Sequence, residues 1–306
     1  MKQFIISNKM EQKSIYSVIQ KQFPHLSLSS LNKVFRVKDV KVNDIRVNKD
    51  YIVKKDDVVK IYLTDTILFG LPQKIFYAYE DDNILIAYKP KGVVSNFEGT
   101  LSNKNTLVPY FDEIVKKEKG ENLNICHRLD TNTEGLVIFS KNADSHAKIL
   151  EAFKNNEIKK DYLALVYGKL PKAKDILSDY ILKDPKTGYS KILSSQTKGS
   201  KSCVTEYKVI KFFKEKNCSV LDITLHTGRT HQIRAHMKHI GCPLIGDSKY
   251  STNEINDKFK IYSQVLFATK YTFAINTSST LNYLNEINID ITDAVLDKIQ
   301  QLIYNI

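Results

Sequence analysis

Three of the chain's five arginines, Arg128, Arg229 and Arg234, fall inside two short polar strings, although the chain writes nearly all of its 46 basic side chains as lysine. The first string reads His127-Arg-Leu-Asp-Thr-Asn-Thr-Glu-Gly-Leu136 and the second His226-Thr-Gly-Arg-Thr-His-Gln-Ile-Arg-Ala-His236. A guanidinium is planar, permanently charged and able to grip a carboxylate or a phosphate through two parallel hydrogen bonds, which an ammonium cannot do. Codon bias accounts for the lysines. It does not account for the clustering of the arginines that remain.

Three familiar chemistries fit these strings badly. The protein-kinase catalytic loop is His-Arg-Asp with an Asn five residues on; here Leu129 intervenes, and no Asp-Phe-Gly or glycine-rich phosphate loop is present. His226, His231, His236 and His239 are close in sequence, but only His236 and His239 share a helix face, and no Glu or Cys stands at ligand spacing, so no metal is expected. Cys126 and His127 are adjacent in an extended segment and point to opposite faces, which disfavours a nucleophilic pair. Cys126, Cys203, Cys218 and Cys242 show no CxxC spacing and read as reduced thiols of a cytoplasmic protein.

Positioning the strings takes a frame of strands and helices. Asn83–Val94 reads as a strand running into a turn at Pro90 and Gly92, Lys160–Gly168 as a strand with Tyr162, Ala164 and Val166 on one face, and Ser219–His226 as a strand delivering its end to Gly228. Asn142–Phe153 reads as a helix with Ala143, Ala147, Leu150 and Phe153 inward, and Thr230 as the cap of a helix running to Ile240 and stopped by Gly241. Strands and helices mix without regular alternation, so the class is α+β with a mixed, largely antiparallel sheet. The chain divides into a small α/β module at 1–67, a linker at 68–74 and a main domain at 75–306.

The formal charge is +12, and half of that excess lies in residues 1–67, which hold 13 Lys/Arg against 7 Asp/Glu. A basic balance suits a polyanion partner. The amino-terminal module shows two helices, at residues 12–30 and after a serine cap at Ser27, then strands at Val40–Val47 and Asp57–Leu63. Lys33, Arg36, Lys38 and Lys41 cluster at the helix-to-strand junction. This pattern resembles the S-four RNA-binding domain, which implies RNA contacts for Lys33, Arg36, Lys38 and Arg46. No stretch approaches the ~18 apolar residues of a membrane span, so a cytoplasmic protein without membrane contact is expected.

The two strings, with Lys160-Asp-Tyr-Leu-Ala-Leu-Val-Tyr-Gly and the continuation of the second string to Ile245-Gly-Asp247, resemble the core motifs of the RluA-type RNA pseudouridine synthases, and Lys89-Pro-Lys-Gly resembles that family's opening turn. The likeness spans residues 80 to 250 in order. It implies an isomerase that converts uridine to pseudouridine in structured RNA, large-subunit ribosomal RNA above all, with transfer RNA as the alternative substrate and a non-catalytic RNA-binding or ribosome-assembly factor as the alternative function. Asp130 matches the catalytic carboxylate, which attacks the nucleoside at the sugar or at the base. Arg229 matches the arginine that pairs with it, offsetting the penalty on a charge in a dry site. Tyr162 matches the aromatic residue lying against the uracil. Arg128 matches the residue that fills the space of the flipped uridine, or else clamps a phosphate. His127, His231 and Gln232 order the loops by hydrogen bonding. No atom is gained or lost, so no cofactor is needed, and a monomer is expected.

The chain also departs from the family pattern. Thr131, Asn132 and Glu134 stand where Arg, Asp and Ser are usual, Leu266-Phe-Ala replaces Leu-His-Ala, and the familiar proline-containing ending is missing after Asn276. These changes bear on substrate choice rather than on Asp130.

Overall fold

Alternating apolar residues dominate the chain beyond residue 75, and in the computed structural model they build one mixed sheet of eleven strands. The structure describes residues 2–24, 26, 28–36, 38–62, 75–95, 111–120 and 122–305. They form two compact units, one of Met1–Ile75 with Pro90–Glu113 and one of Phe76–Lys89 with Ile114–Ile306. The expected linker, 68–74, lies outside the described residues.

In the first unit, β1 (Lys2–Ile5), β2 (Val40–Val42), β3 (Ile45–Arg46) and β4 (Val58–Ile61) form an antiparallel sheet in the order β1-β4-β2-β3. Helices α1 (Ile15–Gln22) and α2 (Leu28–Arg36) bury Ile15, Ile19, Leu31 and Val34 with Val59 and Ile61 in a core of their own. Ser14 caps α1 by accepting the Ser17 N–H. The single strand expected at Val40–Val47 is instead a hairpin, because Asn43 (φ 50) and Asp44 (φ 66) adopt the left-handed turn conformation that these two residues tolerate. Ser27, the expected cap of α2, lies outside the described residues.

The second unit holds β5 (Tyr77–Glu80), β6 (Ile84–Lys89), β7 (Asn124–Ile125), β8 (Glu134–Ser140), β9 (Ile158–Tyr167), β10 (Lys174–Lys183), β11 (Ser190–Leu193), β12 (Lys201–Phe213), β13 (Cys218–Leu225), β14 (Leu266–Phe273) and β15 (Ile289–Asp290). Their order is β11-β10-β12-β13-β9-β14-β8-β6-β5, with β15 on β14 and β7 on β8; every pair is antiparallel except β8 with β14. The helices are α3 (Phe111–Lys119), which begins in the first unit, α4 (Ala143–Lys154), α5 (Gln232–His239), α6 (Asn253–Phe259) and α7 (Thr292–Tyr304). One core cluster joins Leu136, Ile138 and Ile158 to Ile149 of α4, and another joins Leu163, Leu165 and Phe267 to Val295, Ile299 and Ile303 of α7.

Helix α4 is turned relative to the expectation. Ser145, Ile149 and Ala152 are buried while Leu150 is 43% exposed. The Ser145 hydroxyl donates to the Asn83 carbonyl at 2.9 Å, and that bond brings a polar position inward and rotates the stripe by one residue.

Candidate active site

Asp130 lies in the loop between β7 and β8, where the Thr133 N–H closes a turn onto its carbonyl at 3.0 Å. The loop is tied at several points. Lys89, fully buried at the end of β6, donates to the Thr131 carbonyl at 3.1 Å, and Gln264 donates to the Thr133 hydroxyl at 2.8 Å. Gly135 (φ 120) pairs with Ala268, and a Cβ there would collide with the Ala268 backbone, so only glycine lets β8 and β14 close up behind the loop. His127 accepts the Ile138 N–H on Nε2 at 3.1 Å and lies 2.8 Å from the Tyr271 hydroxyl. Burial first, and the Lys160 cation second, push its pKa down to about 3, so it stands as a neutral strut.

The second string leaves β13 and enters α5 without the expected Thr230 cap. His231 is the N-cap, in the left-handed region at φ 58, and makes no side-chain capping bond. Gln232 takes over the loop: its Oε1 accepts the Arg229 N–H at 3.0 Å and the Thr227 hydroxyl at 2.8 Å. Its Nε2 donates to the Val204 carbonyl at 3.0 Å and to Thr205 Oγ1 at 2.9 Å. The Thr230 carbonyl is occupied by the Ser190 hydroxyl at 2.8 Å. Gly241 (φ 80) ends the helix, with the Cys242 N–H reaching the Met237 carbonyl at 2.9 Å. His226 contacts Glu206, His231 contacts Tyr250 and His236 contacts Thr205, each separately. Burial pushes the pKa of His236 down to about 4.

Asp130 pairs with Arg234, not with Arg229. Arg234 Nη1 donates to Asp130 Oδ2 at 2.9 Å, while its Nε and Nη2 grip Asp247 at 2.7 and 2.9 Å. Burial alone would lower the Arg234 pKa, but hydrogen bonds and charge from Asp247 and Asp130 outweigh it and hold the guanidinium firmly ionised. Arg229 is exposed and sends Nε to the Ser202 carbonyl at 3.1 Å. The reason lies in the helix: Arg229 precedes its first turn, whereas Arg234 stands inside it between the buried Ile233 and Ala235. His231 Nε2 approaches the same Asp130 oxygen at 3.8 Å; burial lowers the pKa of this histidine and Asp130 opposes that. Asp130 is 25% exposed, and its Oδ1 accepts no hydrogen bond among the described residues. The result is a fixed carboxylate with one oxygen open to attack an electrophile.

Tyr162 lies on the opposite face of β9 from Leu163 and Leu165 and is 6% exposed. Its phenol pKa is raised first by burial and then by the charge of Asp130, which places hydroxyl and carboxylate in one electrostatic site. Lys160, two residues earlier on the same face, has its ammonium 4.7 Å from the centre of the Phe153 ring, close beside Gly228, with no acidic partner among the described residues. Burial lowers its pKa. Arg128 is exposed on the Asp130 loop, and Arg36, Lys38 and Arg46 are exposed on the first unit; the side chain of Lys33 lies outside those described. Sequence reasoning missed Asp247, Tyr250 and the electrostatic position of Lys160. The acid in Gly246-Asp247 was the available signal for the first, since a buried carboxylate needs a cation; Tyr250 had none among the 17 tyrosines.

Residues 83–239 match the sequence profile of the family described as RNA pseudouridylate synthase. The ribosomal large subunit pseudouridine synthase C of Rickettsia felis is 31% identical over 271 residues, covering 81% of this chain and 84% of that protein. The ribosomal large subunit pseudouridine synthase D of Buchnera aphidicola subsp. Acyrthosiphon pisum is 34% identical, covering 79% of this chain and 77% of that protein. Among solved structures, human RNA pseudouridylate synthase domain containing 1 shares the fold, with a TM-score of 0.56 and 19% identity over 74% of this chain and 95% of that one.

Proposed function

Because this chain belongs to the RNA pseudouridylate synthase family, isomerases acting on RNA, we propose that it converts uridine to pseudouridine in large-subunit ribosomal RNA with Asp130 as the catalytic carboxylate. The observation that carries this reading is the asymmetry of Asp130: Oδ2 is held by Arg234 at 2.9 Å while Oδ1 is left open. A nucleophilic carboxylate must be ionised, oriented and free on one oxygen. Arg234 supplies the orientation through its bond to Oδ2, and Asp247 keeps Arg234 from turning away.

In this reading Oδ1 attacks the flipped nucleoside, at the sugar or at the base, the N1–C1′ bond breaks, and the uracil rotates against Tyr162; carbon 5 then bonds to C1′, the bond to Asp130 breaks, and the carbon-5 proton is lost as N1 takes one up. Atoms balance without any added group. Lys160 and Arg229 meet phosphates at the mouth, and Arg128 fills the stack that the uridine leaves. Residues 1–67 act as an RNA-binding module through Arg36, Lys38 and Arg46, whose side chains face solvent around a separately cored sheet. The names of the two relatives favour ribosomal RNA over transfer RNA. Among the described residues no helix is long and apolar enough to cross a membrane, and a cytoplasmic monomer is the expected working form.

The test is to map pseudouridines in ribosomal and transfer RNA from cells lacking the gene and to restore them with the purified protein on unmodified transcripts. Loss and recovery of a large-subunit site supports the proposal. Loss confined to transfer RNA would replace the substrate, and an unchanged map would remove the reading altogether.

A further inference from the structure

Beside the Asp130 site the second unit contains a cavity of about 820 Å³, within the roughly 300–1,000 Å³ usual for small-ligand pockets. It lies between the β10–β11 hairpin and α5, and the Asp130 network does not line it except through Tyr250. Its walls combine apolar groups (Leu182, Ile192, Ala235) with two tyrosines, Tyr189 and Tyr250, whose rings are 5.3 Å apart and tilted by 58°. Its cations include Lys183, Lys238 and Lys249, none of which has an acidic partner within 4 Å among the described residues. Asp184 is the one acid among the described lining residues, and both its oxygens are taken up in its own turn, by the Lys186 N–H at 2.8 Å and the Thr187 hydroxyl at 2.7 Å. An aromatic and apolar wall with unneutralised ammoniums suits a ligand that is flat on one side and anionic on the other.

Tyr250 couples this cavity to the catalytic site. Its hydroxyl accepts the Ser190 N–H of the hairpin at 2.7 Å and lies 3.0 Å from His231 Nδ1, and its ring carries the Arg234 guanidinium at 5.0 Å. Lys249, 5.5 Å from the centre of the Tyr189 ring, also bears on the charge of His231. Whatever fills the cavity therefore lies one aromatic ring away from the residues that hold Asp130. Resting on the reading of this chain as an RNA isomerase, we propose that the cavity receives an unpaired nucleotide of the same RNA strand that carries the target uridine. Its base lies against Tyr189 and its phosphate on Lys238 and Lys249. Single strands are gripped by this combination of stacking face and basic rim.

The test uses the full-length protein and a fluorescent, unmodified large-subunit ribosomal RNA transcript, titrated over a salt series. Lys238→Ala with Lys249→Ala should weaken binding about tenfold and lower the log–log salt slope by about 0.7, the value for the one phosphate they share. Tyr189→Ala should weaken binding about tenfold with the slope unchanged, because it removes a stacking face and no charge. Equal losses from Lys154→Ala with Lys214→Ala, exposed lysines on other elements, would reduce the effect to bulk charge and overturn the proposal, as would full affinity in Tyr189→Ala. Micromolar binding of adenosine or uridine 5′-monophosphate that depends on Tyr189 would identify a free-nucleotide site instead and also overturn it. These readouts need no turnover, so a wild-type protein that makes no pseudouridine would defeat the proposed function while leaving the binding result legible.

Discussion

Arg234 commits two of its nitrogens, Nε and Nη2, to Asp247 and offers a single one, Nη1, to Asp130. The fork thus serves to fix the arginine, and the fixed arginine then orients the Asp130 carboxylate. Asp247 is itself fully buried and accepts the Lys249 and Tyr250 N–H groups at 2.8 and 3.0 Å, so the chain of constraints ends in backbone. Gly246 (φ 83) permits the turn, since a Cβ there would run into the Ser263 backbone.

Asp130→Asn should abolish isomerisation and leave folding and RNA affinity close to wild type, because the amide keeps the shape and can still accept from Arg234 but is not an anionic nucleophile. Pseudouridine formation on a transcript and RNA binding are measured on the same preparation. Turnover within tenfold of wild type would remove Asp130 from its role.

Arg234→Lys and Arg229→Lys should separate sharply. The first keeps a charge but loses the fork on buried Asp247, costing roughly 1–3 kcal/mol of stability and most of kcat. The second alters an exposed side chain whose bond is to the Ser202 carbonyl, so kcat should hold and only RNA affinity should drop modestly. Urea denaturation with steady-state kinetics reads both; the reverse ranking would reinstate Arg229 as the partner of Asp130.

Folding stability should fall as the pH is lowered from 6.5 toward 4. His127 and His236 have folded-state pKa values pushed down to about 3 and about 4, so below 6.5 the unfolded chain binds protons that the folded one refuses. The stabilisation is complete above 6.5 and is lost on the way down, at about 1.4 kcal/mol per pH unit for each histidine. Denaturant midpoints against pH should show a slope smaller by close to one proton in His236→Gln. An unchanged slope would mean that His236 titrates normally in the folded protein.

Glu134 and Lys298 form a pair at 2.7 Å, with Lys298 also 5.0 Å from the centre of the Phe267 ring. Glu134, Phe267 and the carboxy-terminal segment are three departures from the family pattern, and they meet at one place: the tail helix α7 neutralises the acid and covers the ring. Lys298→Ala should cost about 0.5–1 kcal/mol, because the lysine is half exposed and the Tyr88 hydroxyl still donates to Glu134, and the loss should shrink when Glu134→Ser is added. Strictly additive melting shifts would show the two changes to be independent.

Arg36→Gln, Lys38→Gln and Arg46→Gln together should weaken RNA binding and lower the salt slope by about two to three units, because every phosphate pairing that is removed takes close to one unit from it. A slope equal to wild type would leave the module's charge with a solubility role alone.

The linear order of residues was enough to determine the family and the α+β class, because motif spacing and strand periodicity are local and survive in one dimension. It also carried the role of Gln232 as an organiser of its loop, which depends on neighbours three and five residues away. Which arginine reaches Asp130 was decided only by tertiary structure. Both stand in the same string, and the choice turns on where α5 begins, on a left-handed His231 that displaces Thr230 from the cap, and on a second acid seventeen residues beyond Thr230. The face of α4 was decided the same way, by a hydroxyl reaching a carbonyl on another element. Periodicity records how much apolar surface a segment must bury. It does not record the long-range hydrogen bonds that choose the register of that burial, and those bonds set the geometry of this site.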